Sequence, residues 1–265
     1  MINAGEGLFP SNDLIGSELR ITKEIYMVGD GKRGLSHPLD CCIYLVDCGG
    51  VFVLIDAGAG LNSELILENI LNESIALEKV KYLLLTHAHS DHAGGVRYLQ
   101  ENLSVEVFAP IVEAELMAFG SDEELGLNMA RGVIYPLNYN YIHSKADRVL
   151  VDGEEVQIGG KTLRLIQVPG HSPGSSCLLI REDNVLFSGD VVFHGGTIGL
   201  GNWPGCSLDE YRRNIGKLGN LGVRMLFPGH FLFTLRDGQK HIDTAIDNLK
   251  KPWVPPAWQH NHPHY

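Results

Sequence analysis

The segment 86–95, THAHSDHAGG, places three histidines and one aspartate within six positions. Neutral imidazole and carboxylate form the ligand set that zinc prefers, with iron and manganese as alternatives. The segment follows an apolar run, so it stands at the end of a predicted strand, where alternate positions group His87 with His89 and Asp91 on one side. His92, at the turn into a following helix, points elsewhere. This spacing favours two neighbouring cations over a single one.

Ligand-type residues also follow three later apolar runs. His171 lies in the turn sequence PGHSPG, Asp190 ends the sequence FSGD, and His230 ends the sequence FPGH. Each of these sequences alone is typical of a turn between strands. In combination with the first cluster, they predict one metal site assembled from four strand ends.

The apolar pattern along the chain predicts two sheets with helices outside them, which is an α/β (α+β) fold class. The predicted strands cover residues 42–46, 51–55, 82–85, 105–110, 155–158, 163–168, 176–180, 185–188 and 223–227. The predicted helices cover residues 63–72, 95–102, 111–119, 208–218 and 240–249. Prolines after residue 250 end the last helix. We therefore expect a single domain over residues 1–250 and a Pro/His-rich tail over residues 251–265.

Composition restricts the class of partner. A formal net charge of -11 without a long Lys/Arg run argues against nucleic acid or an anionic membrane surface as the main partner. No apolar segment approaches the length of a membrane span, and the amino terminus lacks the pattern of an export signal. The five cysteines form no CxxC pair, which favours reduced thiols. We expect a soluble cytoplasmic protein with a small-molecule substrate, and homo-oligomer formation stays open.

Together, the motifs resemble those of the metallo-β-lactamase-fold hydrolase superfamily, in particular its glyoxalase-II-like and lactonase-like branch. The HxHxDH motif of that family appears at residues 87–92, and GHSPG, SGD and FPGH follow in the family's order. The resemblance implies a four-layered αββα metallo-β-lactamase sandwich with two metal ions in a cleft at one edge of the sheets. It also implies the ligands: His87, His89 and His171 for one ion, Asp91, His92 and His230 for the other, and Asp190 as a bridge between them.

The resemblance further implies a hydrolase with two divalent metal ions, zinc first and iron or manganese as alternatives. Two such ions would stabilise a bridging hydroxide near neutral pH and polarise the carbonyl of an ester, lactone or thioester. Asp91 is the candidate catalytic residue, because it can orient the nucleophile or carry its proton. Asp56, in the sequence LIDAG, matches a family turn that supports the site without ligating metal.

Three alternatives stay open: a mononuclear iron sulfur dioxygenase, a β-lactam hydrolase and a non-catalytic metal-binding module. Many metallo-β-lactamases have cysteine or serine where this chain has Asp190, so β-lactam cleavage is not favoured. The sequence Gly199-Leu200-Gly201-Asn202 departs from the Gly-Arg-Xaa-Asp of glyoxalase-II-like enzymes. We therefore do not expect glutathione thioesters as substrates.

Residues 120–148 are the segment in which we expect a substrate pocket. Tyr135, Tyr139 and Tyr141 could pack on an acyl chain or ring and hydrogen-bond a carbonyl. The alternative interpretation is a loop whose tyrosines pack at the surface. His194, four residues after Asp190, is a further candidate for a substrate contact.

Overall fold

A computed structural model describes residues 19–258 of the chain, and within this range two β-sheets pack face to face. The strands are β1 (Ile25–Gly29), β2 (Ile43–Asp47), β3 (Phe52–Ile55), β4 (Val80–Leu84), β5 (Glu106–Pro110), β6 (Arg148–Leu150), β7 (Glu155–Ile158), β8 (Lys161–Gln167), β9 (Ser176–Ile180), β10 (Val185–Gly189), β11 (Ile198–Gly199), β12 (Met225–Pro228) and β13 (Ala257–Trp258). The first sheet has the order β1-β2-β3-β4-β5-β6, and the second has the order β12-β10-β9-β8-β7.

Helices cover the outer faces of both sheets. They are α1 (Glu64–Asn72), α2 (Ser90–Ala93), α3 (Val96–Leu103), α4 (Ile111–Phe119), α5 (Leu127–Ala130), α6 (Leu208–Asn214) and α7 (Gly238–Leu249), with 3-10 turns at Leu77–Lys79, His194–Gly196 and Ile215–Leu218. Across residues 19–258, none of the helices combines the length and the apolar character needed to cross a membrane.

Three hydrophobic cores hold the layers together. The central core lies between the sheets and includes Tyr44 on β2, Phe187 on β10 and Phe227 on β12. A second core packs α1, α3 and α4 on the first sheet, through residues such as Ile66. A third core packs α6 and α7 on the second sheet, through residues such as Ile242. The predicted αββα sandwich is therefore confirmed.

Most predicted elements are present with bounds shifted by a few residues. The predicted helix 208–218 ends earlier, because α6 gives way to a 3-10 turn after Asn214. The short edge strands β1 and β6 and the single-turn helices α2 and α5 were missed. β6, α2 and α5 have three or four residues and carry no clear apolar period, whereas β1 is a buried run of five residues that the sequence analysis did not assign.

Strand direction brings the ligand-bearing loops to one edge of the sandwich. β3 and β4 are parallel in the first sheet, and β10 and β12 are parallel in the second. β8 runs in the same direction as β10, because both are antiparallel to β9. The carboxyl ends of these five strands therefore meet at a shared edge, and the residues that follow them face one another across it.

Two small residues let the chain close tightly beside this edge. A Cβ atom on Gly94 would lie 2.5 Å from the carbonyl oxygen of Ala59, and one on Gly95 would lie 2.1 Å from that of Ala57. Glycine at both positions allows the junction between α2 and α3 to press against the turn that follows β3.

Part of the predicted tail lies within the described residues. Ala257–Trp258 forms β13, which pairs in parallel with β11. The tail histidines His260, His262 and His264 lie outside the described residues. The division into a domain over residues 1–250 and a tail stays a prediction.

Candidate metal centre

Three imidazoles converge where the loop after β4 meets the loop after β8. Nε2 of His87 lies 3.1 Å from Nδ1 of His89. Nε2 of His171 lies 3.1 Å from Nε2 of His87 and 2.9 Å from Nδ1 of His89. His87 and His171 are fully buried, while His89 is partly exposed. We refer to these three residues as the three-histidine group.

Hydrogen bonds behind the rings fix the tautomers of two members of this group. Nδ1 of His171 lies 2.8 Å from the carbonyl oxygen of Gly199, which can only accept, so this nitrogen carries the proton. The hydroxyl of Thr86 donates its hydrogen to Asp56 and therefore accepts from Nδ1 of His87, at 3.0 Å. In both neutral rings Nε2 then presents a lone pair to the group. Converging lone pairs are the arrangement that a metal ion stabilises.

The surroundings keep these imidazoles neutral. Burial, together with the neighbouring imidazoles, lowers the pKa of His87 and of His89 well below its usual value. Burial also lowers the pKa of His171. Neutral imidazole is the form that binds a metal ion, so a cation could enter this group without first displacing a proton.

Asp91, His92 and His230 form a second group. Nε2 of His230 lies 3.1 Å from Oδ2 of Asp91 and 3.4 Å from Nε2 of His92. Asp91 and His92 lie in α2, which begins at Ser90. β4 ends at Leu84, so His87 and His89 lie in the loop after it, and the predicted alternation of His87, His89 and Asp91 along a strand end was wrong. The helical turn, not an extended strand, directs Asp91 toward His230.

Asp190 lies between the two groups. Its Oδ2 is 3.5 Å from Nε2 of His171 and 3.3 Å from Nε2 of His230, and its Oδ1 is 3.4 Å from Nε2 of His92. The side chain is 1% exposed, and among the described residues its Oδ1 has no hydrogen-bond partner. A buried carboxylate oxygen without a hydrogen bond is costly unless a cation lies beside it. This position fits a bridging ligand.

Neighbouring carboxylates favour the protonated form of the imidazoles in the second group when no cation is bound. Burial acts to lower the pKa of His230, but Asp190 and Asp91 outweigh it and raise the pKa to about 9. Burial acts to raise the pKa of Asp190, but His230 and His92 outweigh it and hold the pKa well below its usual value. A divalent cation here would take the place of protons on these imidazoles.

Among the described residues, ligand-type atoms lie close enough for metal binding in four sets; three of these consist of the seven candidate ligands, and the fourth joins Cys41 to Asp56 and His92. Within each of the three sets of candidate ligands, the ligand atoms lie within 4.8 Å of one another: His87, His89 and His171; His87, His92 and Asp190; Asp91, His92 and His230. All seven side chains that the sequence singled out therefore meet at one place. Nitrogen and carboxylate donors in this number fit two divalent cations.

Asp56 supports both groups from behind. It occupies the turn after β3 with a φ of 63°, and its Oδ1 accepts a hydrogen bond from the backbone N–H of Thr86 at 2.8 Å. Its Oδ2 accepts from Nδ1 of His92 at 2.8 Å, which leaves Nε2 of that ring directed at the second group. The carboxylate thus orients His92 directly and His87 through Thr86.

Replacing Asp56 by Asn should weaken metal binding about 10- to 100-fold, the usual effect of removing an outer hydrogen-bond partner of a ligand. Asparagine tolerates a positive φ, so the turn itself should persist. Competition with a chromogenic chelator would measure the affinity. Thr86→Val, which leaves His92 bound to Asp56, should weaken binding less. Unchanged affinity in D56N would contradict the supporting role.

A cleft of about 640 Å³, counting solvent at its mouth, opens beside the two groups. Its floor includes His89 and Asp91. One wall comes from α5 and the residues around it, namely Leu125, Gly126, Met129, Ala130, Ile134 and Tyr135. The other wall is the turn Gly201-Asn202-Trp203. The cleft therefore joins an apolar wall to the candidate metal ligands.

The four predicted substrate contacts lie in different places. Tyr135 lines the cleft, and its hydroxyl donates to Oδ1 of Asp91 at 3.3 Å. Tyr139 stacks on Tyr135 from behind, with ring centroids 4.5 Å apart, and donates to the carbonyl oxygen of Ala59. Tyr141 is buried beyond them, and its hydroxyl has no hydrogen-bond partner among residues 19–258.

His194 lies apart from these tyrosines. It is exposed and packs against His241, with ring centroids 4.3 Å apart. It does not belong to the cleft lining.

Trp203 was missed by the sequence analysis. Its Nε1 donates to the carbonyl oxygen of His171 at 2.8 Å, and its ring lies edge-on to His171 and to His89, at centroid distances of 5.2 and 5.8 Å. A lone tryptophan in a turn rich in Gly and Pro was the available signal, because an aromatic residue there must pack on something nearby.

The comparison with protein families decides the relationship. The model of the metallo-beta-lactamase superfamily matches residues 38–230, a range that contains all seven candidate ligands. This chain belongs to the metallo-beta-lactamase superfamily. The resemblance to the superfamily that the motifs indicated is thus confirmed, and the glyoxalase-II-like and lactonase-like branch stays a prediction.

Named relatives of this superfamily member are distant. The atrochrysone carboxyl ACP thioesterase of Aspergillus fumigatus is 26% identical over 257 residues, which cover 92% of this chain and 70% of the relative. The beta-lactamase-like protein 2 homolog of Caenorhabditis elegans is 27% identical over 189 residues, which cover 71% of this chain and 54% of the relative. The chain thus spans about half the length of the second relative.

Solved structures show the same fold. The class B3 di-zinc metallo-beta-lactamase LRA-12 from an Alaskan soil metagenome superposes with a TM-score of 0.64 at 21% identity. The match covers 88% of this chain and 90% of that one. At this level of identity the likeness concerns the fold alone.

Proposed function

We propose that this metallo-beta-lactamase superfamily member is a dinuclear metal-dependent hydrolase of small molecules. Its substrate would carry a thioester, ester or lactone bond and an apolar acyl part. The observation that carries the proposal is the meeting of two three-residue ligand groups with Asp190 between them. A mononuclear iron site would use only one group, so the second group favours the dinuclear alternative.

Two bound divalent cations would lower the pKa of water toward neutrality and polarise the substrate carbonyl, and zinc is the cation we favour. Asp91 stands where a carboxylate could orient that water and accept its proton. Its Oδ2 faces His230 at 3.1 Å, and its Oδ1 accepts the hydrogen bond from Tyr135 at the floor of the cleft. Tyr135 thereby keeps the carboxylate turned toward the reacting centre.

The cleft favours an uncharged substrate with an apolar body. Among the described residues that line it, none is Lys or Arg. Arg131 follows the wall residue Ala130, but its guanidinium pairs with Asp122 and donates to the carbonyl oxygen of Tyr139 at 2.8 Å. A negatively charged group of the substrate would therefore find no cationic side chain in the described lining, whereas an acyl chain or ring could pack on Met129 and its neighbours.

Among the three bond types, we expect thioesters to be the preferred substrates. The support is the activity named for the Aspergillus fumigatus relative, which aligns with 92% of this chain. Oxoesters and lactones present the same kind of carbonyl to the site and stay within the proposal.

Metal analysis coupled to a substrate panel tests the proposal. The protein would be produced with zinc, iron or manganese, and bound metal would be quantified after mild purification. We expect about two ions per chain and hydrolysis of neutral acyl thioesters, with slower cleavage of aryl esters, lactones and β-lactams. His89→Ala should lose both the first ion and hydrolysis.

Three results would contradict the proposal. The first is the absence of bound metal together with failure to restore it. The second is full hydrolysis by the His89→Ala protein. The third is a single iron with oxygen consumption on a persulfide substrate, which would establish the sulfur dioxygenase alternative.

Met129→Glu should shift the preference for the acyl part. A carboxylate on the cleft wall would disfavour a long apolar acyl chain, so kcat/KM for such a thioester should fall about 10- to 100-fold. The acetyl thioester, which reaches the wall less, should lose less. Met129→Leu keeps the wall apolar and is the matched control. Equal losses for both substrates would show that this wall does not contact the acyl group.

A further inference from the structure

Glu113 is a fully buried carboxylate that none of the roles above uses. It lies on α4, far in sequence from all seven candidate ligands, and its exposed fraction is 0%. Within residues 19–258 it forms no ion pair with Lys or Arg. A carboxylate buried without a cation is costly unless hydrogen bonds satisfy it. The partners of Glu113 are therefore informative.

Both loops of the three-histidine group donate to this one carboxylate. Its Oε2 accepts from the backbone N–H of Ala88, the residue between His87 and His89, at 2.7 Å. Its Oε1 accepts from the hydroxyl of Ser172 at 2.7 Å and from the backbone N–H of Gly174 at 2.6 Å. Ser172 directly follows His171. The carboxylate thus joins the loop after β4 to the loop after β8.

The contact depends on the glycine that ends the GHSPG motif. A Cβ atom at Gly174 would lie 2.8 Å from Cβ of Val112 and 3.0 Å from Oε1 of Glu113. Only a residue without a side chain lets the loop reach the helix this closely. Ser172 and Gly174 of this motif therefore share one function, which is to donate hydrogen bonds to Glu113. This function is separate from the ligand role of His171.

The geometry of these hydrogen bonds favours the ionised form of the Glu113 carboxyl group. Burial raises the pKa of Glu113, and the hydrogen bonds from Ser172, Ala88 and Gly174 oppose that rise. Two of the three donors are backbone N–H groups, which cannot accept a hydrogen. The charged carboxylate, with acceptor capacity on both oxygens, satisfies all three donors at once.

We propose that Glu113 is a positioning residue that sets the separation of the two ligand loops, and with it the metal affinity of the three-histidine group. The inference rests on the metal centre of the proposed function. Asp56 orients His87 through Thr86 on one side, and Glu113 holds the backbone beside His87, His89 and His171 on the other. A shift of either loop would move a ring nitrogen out of the group.

Glu113→Gln tests this role with little change in volume. If the amide oxygen keeps the donors at Ser172 and Gly174, the amide nitrogen faces the N–H of Ala88, and two donors oppose each other. If the amide turns over, the N–H of Gly174 on the other loop faces a donor instead, and the Ser172 hydroxyl must turn to accept. In either orientation one loop is released, whereas the helix and the core around it keep their shape.

Two backgrounds separate the ligand groups. In His230→Ala the three-histidine group is the complete one, and adding Glu113→Gln should weaken zinc binding about 10- to 100-fold in chelator competition. In His89→Ala the second group is the complete one, and adding Glu113→Gln should leave its zinc affinity unchanged. Equal affinity with and without Glu113→Gln in His230→Ala would overturn the proposal.

A matched control addresses stability. Asp40 is also a buried carboxylate, and it accepts backbone N–H groups of Ala59 and His37, which lie outside both loops. Asp40→Asn and Glu113→Gln should lower the melting temperature of the metal-free protein by similar amounts. Only Glu113→Gln should weaken the three-histidine group. Equal weakening by both would show a merely structural role and overturn the proposal.

Three further outcomes keep the test decisive. If Glu113→Gln does not fold, Ser172→Ala removes one of the three donors and should weaken the same group several-fold, and unchanged affinity would overturn the proposal. If the wild-type protein binds no metal, the proposed function fails together with this inference. If the wild type binds two ions and Glu113→Gln binds both equally well, the inference alone fails.

Discussion

Asp190→Asn should abolish hydrolysis and leave at most one tightly bound ion per chain. The two oxygens of Asp190 face three imidazoles, those of His171, His230 and His92, at 3.3 to 3.5 Å. An amide of the same shape has no charge and a single acceptor oxygen, so it cannot serve both groups. It would also place an N–H₂ donor beside ring nitrogens. We expect kcat/KM to fall by at least about 1,000-fold, because metal binding lowers the pKa of water by roughly nine units.

Metal stoichiometry and steady-state rates would check this expectation together. Asp209→Asn makes the same chemical change at an exposed position on α6 and should leave both quantities at the wild-type level. Two ions bound at wild-type affinity in Asp190→Asn would contradict the bridging role. Activity near the wild-type level with one ion bound would instead favour a mononuclear mechanism.

The candidate ligands could be predicted because their signal is chemical and local. One histidine or aspartate after an apolar run is typical of a turn, but four such strand ends together indicate a metal site, and parallel strands bring these ends together. The apolar runs also predicted the two sheets with helices outside them, because strands such as β9 and β10 are buried on both faces. The prediction was less accurate where α2 begins, because a four-residue helix carries no periodic signal.

The residues around the ligands were harder to predict because their roles depend on tertiary contacts. Tyr135 and Tyr141 stand in one predicted pocket segment, yet only the first lines the cleft. Glu113 was overlooked in the run IVEAELMAF, although helical spacing places it on the same face as the buried Met117. An acidic residue on the apolar face of a helix is a usable signal, but its partners on two remote loops are not encoded locally.

Asp91→Asn should lower kcat about 100- to 10,000-fold, the usual range for loss of a general acid or base, with KM little changed. The amide keeps the shape of the side chain, but it cannot accept a proton from water near neutral pH. Tyr135→Phe is the comparison variant, because the Tyr135 hydroxyl donates a hydrogen bond to Oδ1 of Asp91. Tyr135→Phe keeps the carboxylate and removes only its orienting donor, so its loss of kcat should be much smaller.

The pH profile separates proton transfer by Asp91 from its ligand role. If Asp91 carries a proton, the acid limb of the kcat profile should have the same midpoint in the wild type and in Tyr135→Phe and a shifted midpoint in Asp91→Asn, in which only ionisation of the nucleophilic water remains. If Asp91 acts only as a ligand beside His230, raising the zinc concentration should restore the rate of Asp91→Asn. Restoration of that kind would remove the catalytic role while leaving the second ligand group in place. A low rate at saturating zinc, together with the shifted acid limb, would instead place the proton on Asp91 during turnover.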